Sequence, residues 1–190
     1  MKPLPRRDKP SLDGASLVAT IKGGDLSGLG VLFDEYGDDV YRFLVRIGVP
    51  PSDVEDLVQQ TFLDVLAAAP RFQADAAVKP WLFGIAAMVA RRHRRSAGRM
   101  FERLRRWALE RTVETPPTPD ECFEVGAQAI RAQRALDALS PRKREAFVLV
   151  VLEGLAGEEA AIAMGVPVAT VWTRVHHARR ELRHALGERS

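Results

Sequence analysis

The sequence predicts an all-α protein made of two small helical domains joined by a Pro-rich linker. Apolar residues recur at helical spacing along nearly every periodic stretch, and no alternation of apolar and polar residues is long enough to indicate a sheet. Residues 112–121 hold three prolines and no apolar periodicity, which is typical of an extended linker. We therefore expect a flexible N-terminus at 1–11, a first domain at 12–111, a linker at 112–128 and a second, helix-turn-helix domain at 129–187.

The composition fits a chain with one modest core or two small ones. Of 190 residues, 46% are hydrophobic and 28% are charged, and the net charge is +3. The longest apolar run, Ala146–Leu152, is far shorter than the roughly 20 residues of a membrane helix. The basic N-terminus is followed by no apolar signal-peptide segment, and the single cysteine, Cys122, excludes an internal disulfide. We expect a cytoplasmic protein.

Two helices are predicted in the first half of the first domain. Asp25 follows two glycines and is expected to cap a helix that runs to Tyr36, beyond which the apolar repeat continues as far as Ile47. After a proline pair, Ser52 is expected to be the N-cap of the next helix. Acidic residues fill the first turn of that helix, where they complement the helix dipole.

The charges of the first domain fall into two opposite blocks. Residues 34–70 carry two basic and eight acidic side chains (−6), whereas residues 71–111 carry eleven basic and three acidic ones (+8). Pro70 ends the acidic helix, a loop follows over 71–79, and Pro80 is expected at the first position of the next helix. An arginine cluster at the far end of that helix would attract phosphate, although a solvated helix face would have the same composition.

The second domain contains the spacing of a helix-turn-helix. Ser140 and Pro141 are expected to cap and start a helix that includes the Val-rich run Ala146–Leu152, because a lone strand would have no partner. A short helix over Glu158–Met164, a turn at Gly165 and a long helix from Val168 follow. In the long helix one buried stripe is predicted, formed by Val171, Val175, Ala178, Leu182 and Leu186.

Together the two halves resemble an extracytoplasmic function (ECF) sigma factor, the small two-domain class of bacterial RNA polymerase sigma subunits. The resemblance covers nearly the whole chain and rests on two motif blocks in the right order. The first domain is similar to sigma region 2 through LFDEYGDDVYRFLVRIG, DVEDLVQQTFLDVL and KPWLFGIAAMVARRHRR. The second is similar to region 4 through LDALSPRKREAFVLVVLEGLAGEEAAIAMGVPVATVWTRVHHARREL.

The resemblance implies three binding surfaces. Residues expected to dock on the clamp coiled coil of core polymerase are Asp53, Glu55, Asp56, Gln59, Gln60, Phe62 and Asp64. Residues expected to hold the melted strand of the minus 10 element are Arg71, Phe72, Lys79, Trp81, Arg91, Arg92, Arg94 and Arg95, since an unstacked base needs a pocket and its backbone needs cations. Residues expected to lie nearest the duplex minus 35 element are Thr170, Trp172, Thr173, Arg174, His176 and Arg179.

The chain departs from the family pattern at a few positions. Met88 stands where the family usually has an asparagine near the melted strand, and Trp172 and His177 replace a lysine and an arginine that are frequent in its recognition helix. These differences bear on promoter melting and on the minus 35 sequence that is read.

The expected partners are core RNA polymerase, through its clamp and flap, promoter DNA and an anti-sigma factor, which in this family is often anchored at the inner face of the membrane. No cofactor, metal or small-molecule substrate is expected, because the sequence contains no Gly-rich phosphate loop, nucleophile elbow or set of metal ligands. Enzyme activity is therefore not predicted.

Two alternative functions remain open at the level of sequence. A helix-turn-helix regulator would bind duplex DNA without core polymerase and prefer a palindromic site. A degenerate sigma-like protein would act only through protein contacts.

Overall fold

The computed structural model describes residues 13–73, 76–108 and 127–186, with side chains for all of these except 100–108, 127–130 and 132. Every regular element in these ranges is helical, which confirms the predicted all-α class. The helices are α1 (Gly14–Lys22), α2 (Ser27–Arg46), α3 (Pro51–Ala68), α4 (Val78–Ala108), α5 (Ala127–Asp137), α6 (Pro141–Phe147), α7 (Gly157–Met164) and α8 (Val168–Leu186). Within the described ranges, none of them combines the length and the apolar character that crossing a membrane requires.

The starts of α3 and α4 differ from the predicted ones. Helix α3 begins at Pro51 with Pro50 as its N-cap, so the prediction of Ser52 as the cap was wrong by two residues. Proline suits the first position because its φ is already helical and its missing N–H would have no partner there. Pro80 was predicted at the first position of the next helix, but α4 begins at Val78 and Pro80 is its third residue.

Other boundaries also depart from the predicted ones. Leu26, and not Asp25, is the N-cap residue of α2, and this helix runs without a break to Arg46, beyond the predicted end at Tyr36. The carboxylate of Asp25 accepts a 2.8 Å hydrogen bond from the backbone N–H of Ser27, at the start of α2. Helix α4 is continuous to Ala108, so residues 101–108 of the basic segment belong to this helix. Most of the predicted linker, 112–126, lies outside the described residues, and α5 begins at Ala127, inside the segment assigned to the linker.

The first domain is built from α1 to α4 around an aromatic core. Phe43 of α2 stacks on Phe83 of α4 with ring centroids 4.6 Å apart, and both rings are fully buried. Val54 and Val65 bury one face of α3 against the same core. This packing places α3 beside α4, with the opposite face of α3 toward solvent.

The Val-rich run of the second domain is helical, as predicted. Ser140 is the N-cap residue of α6 and Pro141 is its first residue. Beyond Phe147 the chain continues as a π-helix over Val148–Leu152. A π-turn accommodates one extra residue per turn, and its occurrence is often associated with functional positions.

The helix-turn-helix has the predicted geometry. Gly165 adopts φ +64° between α7 and α8, a left-handed conformation that glycine reaches without a steric penalty. The predicted stripe of α8 is buried at its first four positions, and its last member, Leu186, is half-buried. The short first helix and the long second one therefore share a core, and the start of α8 faces outward.

The two domains pack directly against each other in this structure, and we call this packing the closed arrangement. Helix α4 of the first domain lies along α7 of the second, and one buried cluster of apolar side chains includes residues from both. The contact is close because Gly84 has no side chain: a Cβ built there would lie 3.2 Å from Ala163 Cα. The first domain thus covers one face of the helix-turn-helix domain.

Candidate polymerase and promoter interface

The solvent face of α3 carries the central residues of the predicted polymerase-docking set. Glu55, Asp56 and Gln59 are exposed, because the apolar residues between them are directed into the core. None of these three takes part in an ion pair within the described residues. The exposed carboxylates give this face a negative potential that suits a basic partner.

The two ends of the acidic face are tied to α4. His93 Nε2 lies 2.8 Å from Asp53 Oδ2, and Arg92 Nη2 lies 2.7 Å from Asp64 Oδ2. Gln60 also donates to Asp64, at 2.7 Å. The contacts of Asp53 with His93 and of Asp64 with Arg92 join α3 to α4, so these two carboxylates position the helix in addition to contributing charge.

Phe62 is buried, although it was predicted with the docking set. Only 4% of it is exposed, and its ring meets the edge of Phe33 at a centroid distance of 4.9 Å. In this structure Phe62 therefore anchors α3 to α2 and does not face a partner. The exposed aromatic ring at this place is that of Phe33.

An aromatic pair stands at the start of α4. Phe72, from the loop, and Trp81, from the first turn of the helix, are both half-buried, with ring centroids 4.8 Å apart. Arg71 beside them is exposed. Half-buried aromatic faces next to a cation are suited to stacking an unpaired base while holding its phosphate.

The ammonium group of Lys79 contacts carboxylates of both domains. Its Nζ lies 3.0 Å from Asp39 Oδ2 in α2 and 3.8 Å from Glu153 Oε2 in the second domain. Glu153 also binds Arg46, with Nη1 and Oε1 2.5 Å apart, and only 6% of its side chain is exposed. A carboxylate of the second domain therefore neutralises two cations of the first.

The middle of α4 meets a second carboxylate of the other domain. Arg91 pairs with Glu145, which is 2% exposed. Burial raises the pKa of the Glu145 carboxyl, against the opposing attraction of the arginines around it. Arg94 donates to the carbonyl of Ile47 at 3.2 Å, and burial lowers its pKa. Arg95 is exposed.

Met88, at the position where an asparagine is usual in the resembled family, is on the surface of α4. It is 44% exposed and lies one turn before Arg92. An apolar side chain therefore stands where a polar contact to a melted strand would be expected.

Helix α8 presents most of its predicted reading residues outward. Trp172 is 49% exposed, and Thr173, His176 and Arg179 are exposed with it. The Thr173 hydroxyl donates to the Ala169 carbonyl at 2.9 Å, so its proton is used within the helix and its oxygen remains an acceptor. Thr170 and Arg174 are half-buried on the same helix.

The indole ring of Trp172 packs against Gly157. A Cβ built on Gly157 would lie 2.9 Å from two atoms of the indole, so the ring lies directly over the first residue of α7. Because the ring is supported on one side and open on the other, it has a defined orientation at the start of α8.

The structure places the predicted docking set on α3, the predicted minus 10 set on α4 and the segment just before it, and the predicted minus 35 set on the second domain. Sequence reasoning missed the charged contacts between the domains, which involve Glu145, Glu153 and Arg144. The available signal was the adjacent pair of opposite charges, Arg144 and Glu145, next to the most apolar run of the chain. Among the described residues no group of three or more His, Cys, Asp or Glu is arranged to hold a metal ion.

Comparison with known families matches both domains. Residues 32–100 match sigma-70 region 2, and residues 129–182 match sigma-70 region 4. The first matched segment contains the predicted docking and minus 10 sets, and the second contains the predicted minus 35 set.

Two similar proteins are sigma factors. The ECF RNA polymerase sigma factor SigE of Mycolicibacterium smegmatis is 31% identical over 159 residues, which are 84% of this chain and 62% of SigE. The chain thus aligns with less than two thirds of SigE. The RNA polymerase sigma factor NccH of Alcaligenes xylosoxydans xylosoxydans is 32% identical over 180 residues, 91% of this chain and 94% of NccH.

Two solved structures share the arrangement of the helices. CnrH in complex with the cytosolic domain of CnrY has a TM-score of 0.66 at 27% identity, covering 94% of this chain and all of CnrH. The sigma factor RpoE of Bartonella quintana, in complex with the anti-sigma factor NepR, has a TM-score of 0.60 at 27% identity, covering 80% of this chain and 92% of RpoE. The chain belongs to the ECF RNA polymerase sigma factors.

Proposed function

We propose that this sigma factor directs core RNA polymerase to promoters through three surfaces: α3 on polymerase, the start and middle of α4 on the melted minus 10 strand, and the start of α8 on the minus 35 duplex. The observation that carries the proposal is the separation of charge between neighbouring helices. Exposed carboxylates of α3 and cations of α4 stand side by side, so one domain can bind a basic protein surface and a nucleic acid at once.

The docking surface centres on Asp56. This residue and Gln59 lie one turn apart on the exposed face of α3, and the contacts of Asp53 with His93 and of Asp64 with Arg92 join this helix to α4. A rigid, negatively charged face is complementary to a basic coiled coil such as that expected on the polymerase clamp.

The melted strand would lie across the aromatic pair of Phe72 and Trp81 and along the cations of α4. Stacking on aromatic side chains contributes about 1–3 kcal/mol per base and tolerates different sequences. The arginines that follow would hold the backbone by charge, which makes binding sensitive to salt.

The duplex element would be read by the start of α8. In a helix-turn-helix the first turns of the second helix enter the major groove. Thr173 offers a hydroxyl and Arg179, two turns further along, offers a cation for phosphate. Trp172 supplies an apolar contact of fixed orientation, suited to a thymine methyl group.

An anti-sigma factor is the proposed regulatory partner. RpoE of Bartonella quintana, whose structure is similar to this chain, was solved in complex with the anti-sigma factor NepR. We place the protein in the cytoplasm with polymerase and DNA, where a membrane-anchored anti-sigma factor could hold it. The second domain would also meet the polymerase flap, and the chain itself would supply no catalysis.

The proposal is tested by recovering DNA from a pool of genomic fragments with core polymerase alone, the full chain alone, and both together. We expect fragments that share two spaced upstream motifs to be retained only by both. Retention of palindromic fragments by the chain alone would instead identify a helix-turn-helix regulator that acts without polymerase. No retention despite polymerase binding would identify a protein that acts only through protein contacts.

A further inference from the structure

The first residue of α7 is a glycine, although the backbone conformation there does not require one. Four glycines of the described residues have a positive φ, and Gly157 is not among them. Glycine also loses more conformational freedom on folding than alanine does, so it is the less favourable choice in a helix. The backbone alone would therefore accept an alanine at this position, and the reason for the glycine must lie in its surroundings.

The neighbour that leaves no room for a side chain at Gly157 is the indole of Trp172. The three atoms nearest to a Cβ built on Gly157 are Cζ2, Nε1 and Cε2 of this ring, at 2.9, 2.9 and 3.0 Å. Carbon atoms in favourable contact are about 3.5–4.0 Å apart, so an added methyl group would displace the ring. Gly157 and Trp172 are therefore a fitted pair that joins the start of α7 to the first turns of α8.

This contact orients the indole with its nitrogen toward α7. The atoms Nε1, Cε2 and Cζ2 lie along one edge of the ring, and the opposite edge consists of carbon atoms only. Because Trp172 is 49% exposed, the ring is accessible to a partner. An indole held in this way presents an apolar carbon edge on the side away from α7, and its N–H donor stays on the side of α7.

Trp172 lies in line with two polar residues on the outer side of α8. His176 and Arg179 follow it at four and seven positions along the helix, and all three are exposed. In the major groove the apolar feature is the C5 methyl group of thymine, which also distinguishes T·A from the other base pairs. A carbon edge at this place is therefore suited to thymine, whereas a cationic side chain would favour guanine.

We propose that Gly157 and Trp172 act together as one specificity element: Trp172 contacts the methyl group of one thymine in the minus 35 duplex, and Gly157 is the positioning residue that sets the orientation of the ring. The inference rests on the proposed function, because it assigns one base pair of that duplex to Trp172. It also makes α7 part of sequence recognition through a residue that has no side chain to offer DNA.

The positioning contact is tested on the full chain by fluorine NMR with 5-fluorotryptophan, which carries the fluorine on Cζ3, away from the edge that faces Gly157. The chain has three tryptophans, and the signal of Trp172 is the one that Trp172→Phe removes. Gly157→Ala should shift this signal by more than its line width and leave the other two in place. Gly30→Ala is the matched control, because a Cβ built on Gly30 has no packing neighbour within 4 Å. An unchanged Trp172 signal in Gly157→Ala would overturn the positioning role.

The reading role is tested with the thymine methyl group alone. The probe is a duplex fragment that core polymerase and the chain together retain from a genomic pool, and each thymine of its minus 35 motif is replaced in turn by uracil. With the wild-type chain, loss of the methyl group should weaken binding about fourfold at a single position. Gly157→Ala and Trp172→Ala should each abolish this difference, and Gly30→Ala should keep it. The variant with both substitutions should bind as Trp172→Ala does, because the two residues act as one unit.

The outcomes separate this inference from the proposed function. The readout is a ratio between two DNAs, so a general loss of stability in a variant does not alter it. If uracil weakens binding at no position, or equally in the wild-type chain and in Gly157→Ala, the specificity element is refuted, as it is if the retained motif contains no thymine. If core polymerase and the wild-type chain retain no fragment, the proposed function fails together with the reading role, whereas the fluorine signal still shows whether Gly157 positions the ring.

Discussion

Reversing the charge of Asp56 tests the docking surface without disturbing the fold. The side chain is exposed, and it lies beyond the first turn of α3, where the helix dipole has little effect. Exposed substitutions of this kind change the free energy of unfolding by no more than about 0.5 kcal/mol. Asp56→Lys should therefore unfold at nearly the same temperature as the wild-type chain.

The loss of polymerase affinity should be large. Two unit charges about 4 Å apart interact by at most about 4 kcal/mol near a protein surface, and close charge pairs across interfaces couple by about 1.5–7 kcal/mol. Reversal removes an attraction and adds a repulsion, so we expect a loss of about 3 kcal/mol of binding free energy, which raises the Kd about 100-fold. The Kd for core polymerase would be measured by biolayer interferometry with the full chain.

A matched variant separates docking from a general effect of charge. Asp38→Lys makes the same change at an exposed position of α2 and should alter Kd by less than about threefold. Binding of single-stranded DNA by the two variants should be equal. The docking assignment is wrong if Asp56→Lys binds polymerase within threefold of the wild-type chain.

Three further outcomes are expected. Phe83→Ala removes the ring stacked on Phe43 in a fully buried position and should cost about 3–5 kcal/mol of unfolding free energy, seen by urea denaturation followed by circular dichroism, whereas Phe83→Leu should cost less. Arg179→Ala should weaken binding to all duplex sequences alike and reduce the slope of log K against log salt by about one, measured by fluorescence anisotropy at several salt concentrations. Burial raises the pKa of the Glu145 carboxyl, which faces Arg91, Arg94 and Arg174. The stability that Glu145 contributes to the closed arrangement is therefore complete below the ordinary pKa of this carboxyl and is lost as pH rises through the raised value. This loss with rising pH would be measured as a fall in the rate of disulfide formation in the chain carrying Gly84→Cys, Ala163→Cys and Cys122→Ser. The rate would be corrected for thiolate content with a model dithiol. Adding Glu145→Gln should abolish the fall.

Most of the helices could be predicted from local patterns. Apolar spacing gave the buried stripe of α8, and Gly165 gave the turn before it, because both depend on residues close in sequence. The start of α3 was misplaced because Ser52 and Pro51 both carry helix-start signals, and the fixed φ of proline prevailed.

The contacts between the domains could not be predicted from the same patterns. Nothing in the sequence local to α6 indicates that α2 and α4 cover Arg144 and Glu145. Phe62 was assigned to the docking surface by the resemblance to sigma region 2, yet its ring packs against Phe33 of another helix. Such burial depends on tertiary packing over a long separation in sequence.

Run-off transcription with purified bacterial core polymerase on a library of genomic fragments, with and without the full chain, tests the central claim most directly. If the chain is a promoter-directing sigma factor, start sites will be mapped that appear only when it is present, each preceded by the same two motifs at constant spacing. The account is contradicted if the start sites are the same in both reactions although the chain binds core polymerase.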